Sequence, residues 1–281
     1  MARARQPPAT AKPKPRAKRK RARPQPKRIL NCTPSLEQAD DWRIDTAEDA
    51  GVVGAAPRIP ARKDLRQLWW RIQDQGSTGS CVGWATADGV LRWHFVKGGL
   101  IATSELLSPR FQWLAAKETD QFNTRPTTFV EAEGTSLKAA LDVARKFGAV
   151  KDSVLPFGTG QLYGGDAKTF YAVAARLKIG MYFNLGGEVE NWRAWLAQKG
   201  PILTRLDVDS TWQKATGTKG VLDRYKPQTA KGGHAVTLVG YTPEAFIVRN
   251  SWGTGWGDRG FAYASLAYAQ AAFTEAYGVE P

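Results

Sequence analysis

Apolar positions change their spacing along this chain, and the change divides it in two. Over residues 81–96, Val82, Trp84, Val90, Leu91, Trp93 and Phe95 fall around most of a helical circumference, which predicts a buried central helix. Ser108-Pro109 predicts a second helix start, a hydroxyl N-cap followed by a proline in the first turn. Thr135 or Ser136 caps a third helix over 137–147, closed by Gly148. The polar stretch 118–135 reads as a surface loop, and Pro156-Phe157-Gly158 breaks the chain. Beyond it, 173–183 reads as a short helix then a strand, and 188–199 as an amphipathic helix stopped by Gly200-Pro201. Short apolar runs at 202–208, 235–241, 246–250 and 260–264 read as strands. Helices first and strands later predict an α+β fold, with a helical lobe at about 76–158 and a sheet lobe at about 159–281.

The first sixty residues follow neither pattern. Residues 1–28 carry six prolines and no large apolar residue before Ile29, so they are expected to be a disordered tail. Residues 29–60 read as an N-terminal extension or linker, with a helix start at Pro34-Ser35-Leu36-Glu37. This segment could cover a cleft in the body or pack behind it. The folded body is then 61–281. The net charge of +14 belongs to the tail, which holds 12 of the 40 Lys/Arg and no acidic residue, leaving 28 bases against 26 acids. A basic tail can be a solubilising extension, a docking signal or a nonspecific grip on a polyanion such as nucleic acid. It lacks the apolar core of an ordinary secretory signal, and no apolar stretch is long enough to span a membrane, so a cytoplasmic location is expected. Two cysteines, Cys32 and Cys81, allow at most one disulfide and exclude a disulfide-stapled scaffold.

The chemistry gathers around Cys81. Gln75-Gly76-Ser77-Thr78-Gly79-Ser80 reads as a loop running into the central helix, with Cys81 at the helix start. Unpaired N–H groups and the positive end of the helix dipole favour a thiolate there. His94, on the same helix, lies over three turns away and out of reach. His234 stands at the mouth of a buried strand, and Asn250 ends the strand that returns beside it. An Asn side chain can then hold the imidazole. A thiol with a base in contact, and a third group to orient that base, is what nucleophilic catalysis requires. Taken singly, a buried Cys, a strand His and a turn Asn each have an ordinary structural reading. One Cys and two His in the body, with His94 out of reach of the other two and no carboxylate at ligand spacing, give no basis for a metal site. No cofactor is expected.

Residues 75–85, 232–241 and 247–260, above all Arg249-Asn250-Ser251-Trp252-Gly253-Thr254-Gly255-Trp256-Gly257, resemble the three signature blocks of the papain-like cysteine peptidases. The resemblance runs from about residue 57 to the C-terminus, and Leu107-Ser108-Pro109-Arg110-Phe111 and Glu133-Gly134-Thr135-Ser136-Leu137 resemble the bacterial branch. It implies a two-lobed fold: a helical lobe with a central helix, an antiparallel sheet or barrel lobe, and a cleft between them that binds a peptide or protein substrate. It implies a thiolate nucleophile at Cys81, a proton shuttle at His234, an orienting Asn250 and a Trp252 that screens their hydrogen bond. Gln75 and the Cys81 N–H would be the oxyanion donors. The backbone at Gly134, Thr135 and Gly233 would pair with the substrate. Thr78 stands where papain-type enzymes usually carry a disulfide cysteine, and Val82 where a Trp usually follows the nucleophile. The extension is too short for the usual helical propeptide. Peptide-bond hydrolysis is the main reading. A transpeptidase or amidase using the same acyl-enzyme and a non-catalytic polyanion binder on a peptidase-like scaffold stay open, as does the oligomeric state.

Overall fold

Helix α1 (Ile44–Asp49) and strand β1 (Lys63–Asp64) precede the central helix α2 in the computed structural model, which describes residues 26–54, 59–119, 133–158 and 166–281. Helix α2 is one run of three segments: Cys81–Trp84, a π-helical Ala85–Leu91, and Arg92–Lys97. It is nearly all buried up to Leu91, as its all-round apolar pattern requires. Two glycines let its neighbours come close. A Cβ at Gly83 would lie 2.3 Å from the Pro109 carbonyl oxygen, and one at Gly89 would lie 2.1 Å from Thr237 Oγ1. Thr237 also donates to the Ala85 carbonyl at 3.3 Å, tying the helix to the sheet.

Helices α3 (Pro109–Thr119) and α4 (Leu137–Lys146) flank α2. Both start on the predicted caps: Ser108 Oγ accepts from the Phe111 N–H at 3.1 Å, and Ser136 Oγ from the Ala139 N–H at 3.3 Å. Their apolar faces form one core with α2, including Val82, Leu91, Phe95, Phe111, Leu137 and Leu141.

Then come α5 (Ala167–Ala174), β2 (Met181–Asn184), α6 (Val189–Gln198), β3 (Ile202–Asp207), α7 (Ser210–Gln213) and β4 (Val221–Leu222). They are followed by β5 (Gly233–Tyr241), β6 (Ala245–Arg249), β7 (Phe261–Ser265), α8 (Leu266–Ala272) and β8 (Phe273–Glu280). The sheet order is β2-β8-β3-β5-β6-β7-β4, with β1 added on β5. Every pairing is antiparallel except β4 with β7. All nine residues of β5 are buried, since α2 and α6 both pack on it. A second core, rich in large rings such as Trp192, Trp195, Phe246 and Tyr268, lies between the sheet, α6 and α8. Two cores on either side of β5 make the two lobes of the α+β fold.

The C-terminal α8 and β8 lie beyond the last strand read from sequence. Ser265 caps α8 through the Tyr268 N–H at 3.0 Å, and β8 enters between β2 and β3. At the N-terminus, Ala47 and Val53 join the second core. Asp41 pairs with Lys138 Nζ at 2.6 Å and accepts from Asn184 Nδ2 and Tyr277 OH. The tail over 1–25 and most of the predicted surface loop, 120–132, lie outside the described residues. Among the described residues, no helix is long and apolar enough to cross a membrane.

Candidate active site

Cys81 is the first residue of α2 and is fully buried. The loop before it is cross-tied. Thr78 Oγ1 lies 2.8 Å from the Gln75 carbonyl and 2.6 Å from Ser80 Oγ, so hydroxyl hydrogen bonds brace a turn that holds no disulfide. Gln75 is fastened to the sheet side as well. Its N–H donates to the Ser251 carbonyl at 2.8 Å, and its Oε1 accepts from Ser251 Oγ at 2.8 Å. Its amide nitrogen donates to the Thr78 carbonyl at 3.0 Å, which uses one of the two amide hydrogens.

His234 and Asn250 meet because β5 and β6 run antiparallel, with Thr237 opposite Arg249. Asn250 follows directly, and the His234 ring reaches it: Nε2 lies 2.8 Å from Asn250 Oδ1. The same Oδ1 accepts from the Ser251 N–H at 2.8 Å, which fixes the amide orientation. An oxygen acceptor at Nε2 places the ring proton on that nitrogen and leaves Nδ1 toward the thiol as the basic atom. Nδ1 is buried without a close hydrogen-bond partner. Rings close the site. Trp252 lies 4.8 Å from the imidazole, Trp212 5.8 Å away at a steep angle, and Trp212 and Trp256 are 4.5 Å apart.

Electrostatics at Cys81 favour the thiolate. The neighbouring Cys32 thiol first, and then the nearby His234 imidazole and its charge, hold its pKa well below the usual thiol range against the opposing effect of burial. Burial first, and then the neighbouring Cys81, push the Cys32 pKa up. Of the two thiols, Cys81 is therefore the one whose ionisation is favoured. His94 stands apart: burial and the Lys199 charge lower its pKa to about 4.

The cleft over Cys81 is filled by the chain itself. Cys32 N–H donates to the Gly233 carbonyl at 3.0 Å, and Thr33 N–H to the Thr135 carbonyl at 3.1 Å. A Cβ at Gly134 would meet the Asn31 carbonyl oxygen at 1.8 Å, and one at Gly233 the Cys32 carbonyl oxygen at 2.1 Å. Gly134, Thr135 and Gly233, the positions expected to pair with substrate, are therefore paired with residues 31–33. Arg205 Nε donates to the Cys32 carbonyl at 3.0 Å. At one end Arg28 pairs with Asp74 at 2.5 Å, donates to the Gly76 and Trp252 carbonyls, and lies 5.5 Å from the Trp252 ring centre. At the other, the Ser35 N–H donates to Glu275 at 2.9 Å, and Ser35 Oγ accepts from the Lys138 N–H.

The family model described as "Papain family cysteine protease" matches residues 59–276. The chain belongs to the papain family. Among curated papain-family relatives, cysteine proteinase A of Leishmania mexicana is 32% identical over 97 residues, which cover 33% of this chain and 26% of that one. A cathepsin L-like proteinase of Fasciola hepatica is 24% identical over 210 residues, covering 72% and 59%. The chain thus spans about a quarter of the length of the Leishmania relative. Xylellain, a cysteine protease from Xylella fastidiosa, superposes with a TM-score of 0.70 at 18% identity, covering 93% of this chain and 99% of that one. Procathepsin L2 of Tenebrio molitor gives 0.65 at 21%, covering 90% and 78%. At such identities the likeness is one of fold.

Two parts of this papain-family site had no sequence signal. Trp212 sits on a four-residue helix that nothing local marks as part of the site. The other is a buried ion cluster linking the strand of Asn250 to the helix of Cys81. Asp88 pairs with Arg92 at 3.0 Å and with Arg249 at 2.6 Å, all with side chains 3–4% exposed. Among the described residues no cluster of His, Cys, Asp and Glu could hold a metal ion.

Proposed function

We propose that this protein is a cysteine endopeptidase of the bacterial branch of its family. The observation that carries the activity is the 2.8 Å contact of His234 Nε2 with Asn250, beside a Cys81 thiol held low in pKa. The Cys81 thiolate attacks the scissile carbonyl carbon, and the carbonyl oxygen becomes an oxyanion. The Cys81 N–H and the second amide hydrogen of Gln75 are its donors. Protonated His234 gives its Nδ1 proton to the leaving amine, and the oxyanion collapses to a thioester. His234 then takes a proton from water, which attacks the thioester and frees Cys81. Asn250 keeps the ring oriented through both steps, and Trp252 shields that hydrogen bond. Support for the bacterial branch comes from the Leu107–Phe111 and Glu133–Leu137 sequences and from the near end-to-end superposition on the Xylella protein.

The same reading makes the full chain latent, because residues 31–33 occupy the backbone partners assigned to substrate. The test is hydrolysis of a peptide library by the full chain, by a chain starting at residue 36, and by that chain carrying Cys81→Ala. Truncation should raise turnover at least ~10-fold, and Cys81→Ala should lower it by at least ~10³. A folded truncated protein that cuts no peptide would overturn the endopeptidase reading.

A further inference from the structure

The two cysteines of the chain come from segments far apart in sequence, yet they share one buried apolar cluster. Neither is in a disulfide, and Cys32 is 2% and Cys81 0% exposed. The backbone at Cys32 is fixed from both sides, by the Gly233 carbonyl on its N–H and by Arg205 on its carbonyl, each at 3.0 Å. Arg205 is itself held by Asp207 at 3.0 Å and by Thr274 Oγ1 at 2.6 Å. Cys32 is therefore not a free surface thiol that happens to pass the site. Its sulfur lies 3.9 Å from the Thr33 carbonyl oxygen, in the same buried cluster as Cys81, and each thiol shifts the ionisation of the other. Peptide hydrolysis has no use for a second thiol at this place.

We propose that Cys32 and Cys81 form an intramolecular disulfide site, at which a peroxide converts the segment over the cleft from a reversible cover into a covalent one. The proposal rests on Cys81 being the reactive thiol of the peptidase reading. The Cys81 thiolate attacks one oxygen of hydrogen peroxide. An S–O bond forms, the O–O bond breaks, and hydroxide leaves with the electron pair. Cys32 sulfur then attacks Cys81 sulfur. The S–S bond forms, the S–O bond breaks, and the departing hydroxide takes the Cys32 proton as water. The remaining hydroxide is neutralised by the proton Cys81 gave up on ionising. In sum, two thiols lose two electrons and two protons, and one peroxide becomes two waters. The oxidised protein has no nucleophile, and its own residues 31–33 are bonded into the cleft. A dithiol reductant reverses both at once. The nearby Cys32 also captures the sulfenic acid before further peroxide carries it to the irreversible sulfinic stage.

The experiment treats the full-length, fully reduced protein with a small excess of hydrogen peroxide, then maps peptides without reduction. The expected result is one linked pair containing Cys32 and Cys81, an intact mass lower by two hydrogens, and no dimer. Peptide hydrolysis, measured after a dithiol is added back and the cleft is opened by limited proteolysis, should return nearly in full. Cys32→Ser under the same dose should instead accumulate sulfinic Cys81 and recover several-fold less. A monomer with oxidised Cys81 and a free Cys32 thiol would overturn the proposal, as would equal recovery by Cys32→Ser. The mass readout needs no turnover, so a reduced protein that hydrolyses nothing yet forms the linked pair refutes the peptidase reading alone.

Discussion

Replacing Asp88 by Ala should be among the most damaging single changes away from the reacting atoms. Its carboxylate lies 3.0 Å from Arg92 Nη1 and 2.6 Å from Arg249 Nη2, with about 3–4% of each side chain exposed. The two guanidinium groups keep some neutral partners: Arg92 donates to the Glu105 and Thr103 carbonyls at 2.9 Å, and Arg249 to the Arg71 carbonyl at 2.8 Å. Arg249 also lies 4.8 Å from the centre of the Trp70 ring. Carbonyls and a ring face do not neutralise charge, so the variant leaves two buried cations facing each other. Breaking a buried pair by removing one partner costs about 3–5 kcal/mol. That is a large part of the ~5–15 kcal/mol that holds a domain folded. Asp88→Asn keeps the shape but not the charge and should cost nearly as much. Urea unfolding followed by Trp fluorescence reads both. Replacing the whole cluster by apolar residues (Asp88→Leu with Arg92→Met and Arg249→Met) should recover most of the loss, since a packed apolar substitute for a buried pair is often neutral. A loss under about 1 kcal/mol for Asp88→Ala would refute the reasoning, because it would mean that water or the carbonyls already satisfy the two cations.

Other consequences follow from single groups. His94 has a pKa near 4 in the folded chain, against ~6.5 when unfolded. As pH falls through that window the unfolded chain binds a proton that the folded one does not, so stability drops by up to ~3 kcal/mol between about pH 6.5 and 4. His94→Gln should flatten that part of the urea-midpoint profile, and an unchanged slope would contradict it. Deleting residues 1–25, which leaves Arg28 in place, should abolish salt-sensitive binding to heparin or single-stranded DNA while sparing the fold. Equal retention by the truncated protein would place the polyanion contact elsewhere.

Local signals in the sequence were sufficient for much of the fold. Ser108 and Ser136 mark helix starts through hydroxyls that reach the third N–H onward, an interaction within four residues. His234 and Asn250 could be read as neighbours because a short turn sets the β5–β6 pairing, whereas Cys81 was joined to them only by the chemistry of such a trio and by the resemblance to a family. What stayed hidden depends on contacts that leave no periodic trace. The π-helical stretch of α2 arises where Asp88 and Gly89 meet Arg249 and Thr237, residues from the other lobe. Strand β8 inserts beside β3, far from it in sequence, and only tertiary pairing decides that position. Residues 31–33 dock through backbone N–H and C=O groups, which every sequence has, so no side-chain pattern could announce a segment bound in the cleft.

The central claim is that Cys81 is a thiolate nucleophile beside His234, and the pH dependence of its alkylation tests it most directly. Iodoacetamide labelling of the reduced chain starting at residue 36, in which nothing covers the cleft, follows Cys81 beside a free cysteine standard. An ordinary thiol loses roughly 100-fold in rate between pH 8.5 and 6, because its thiolate fraction falls by that much. The structure predicts that Cys81 loses clearly less rate over this range than the standard does, since His234 beside it holds its pKa low. If the two rates fall together as an ordinary thiol's do, Cys81 is no thiolate and the account fails.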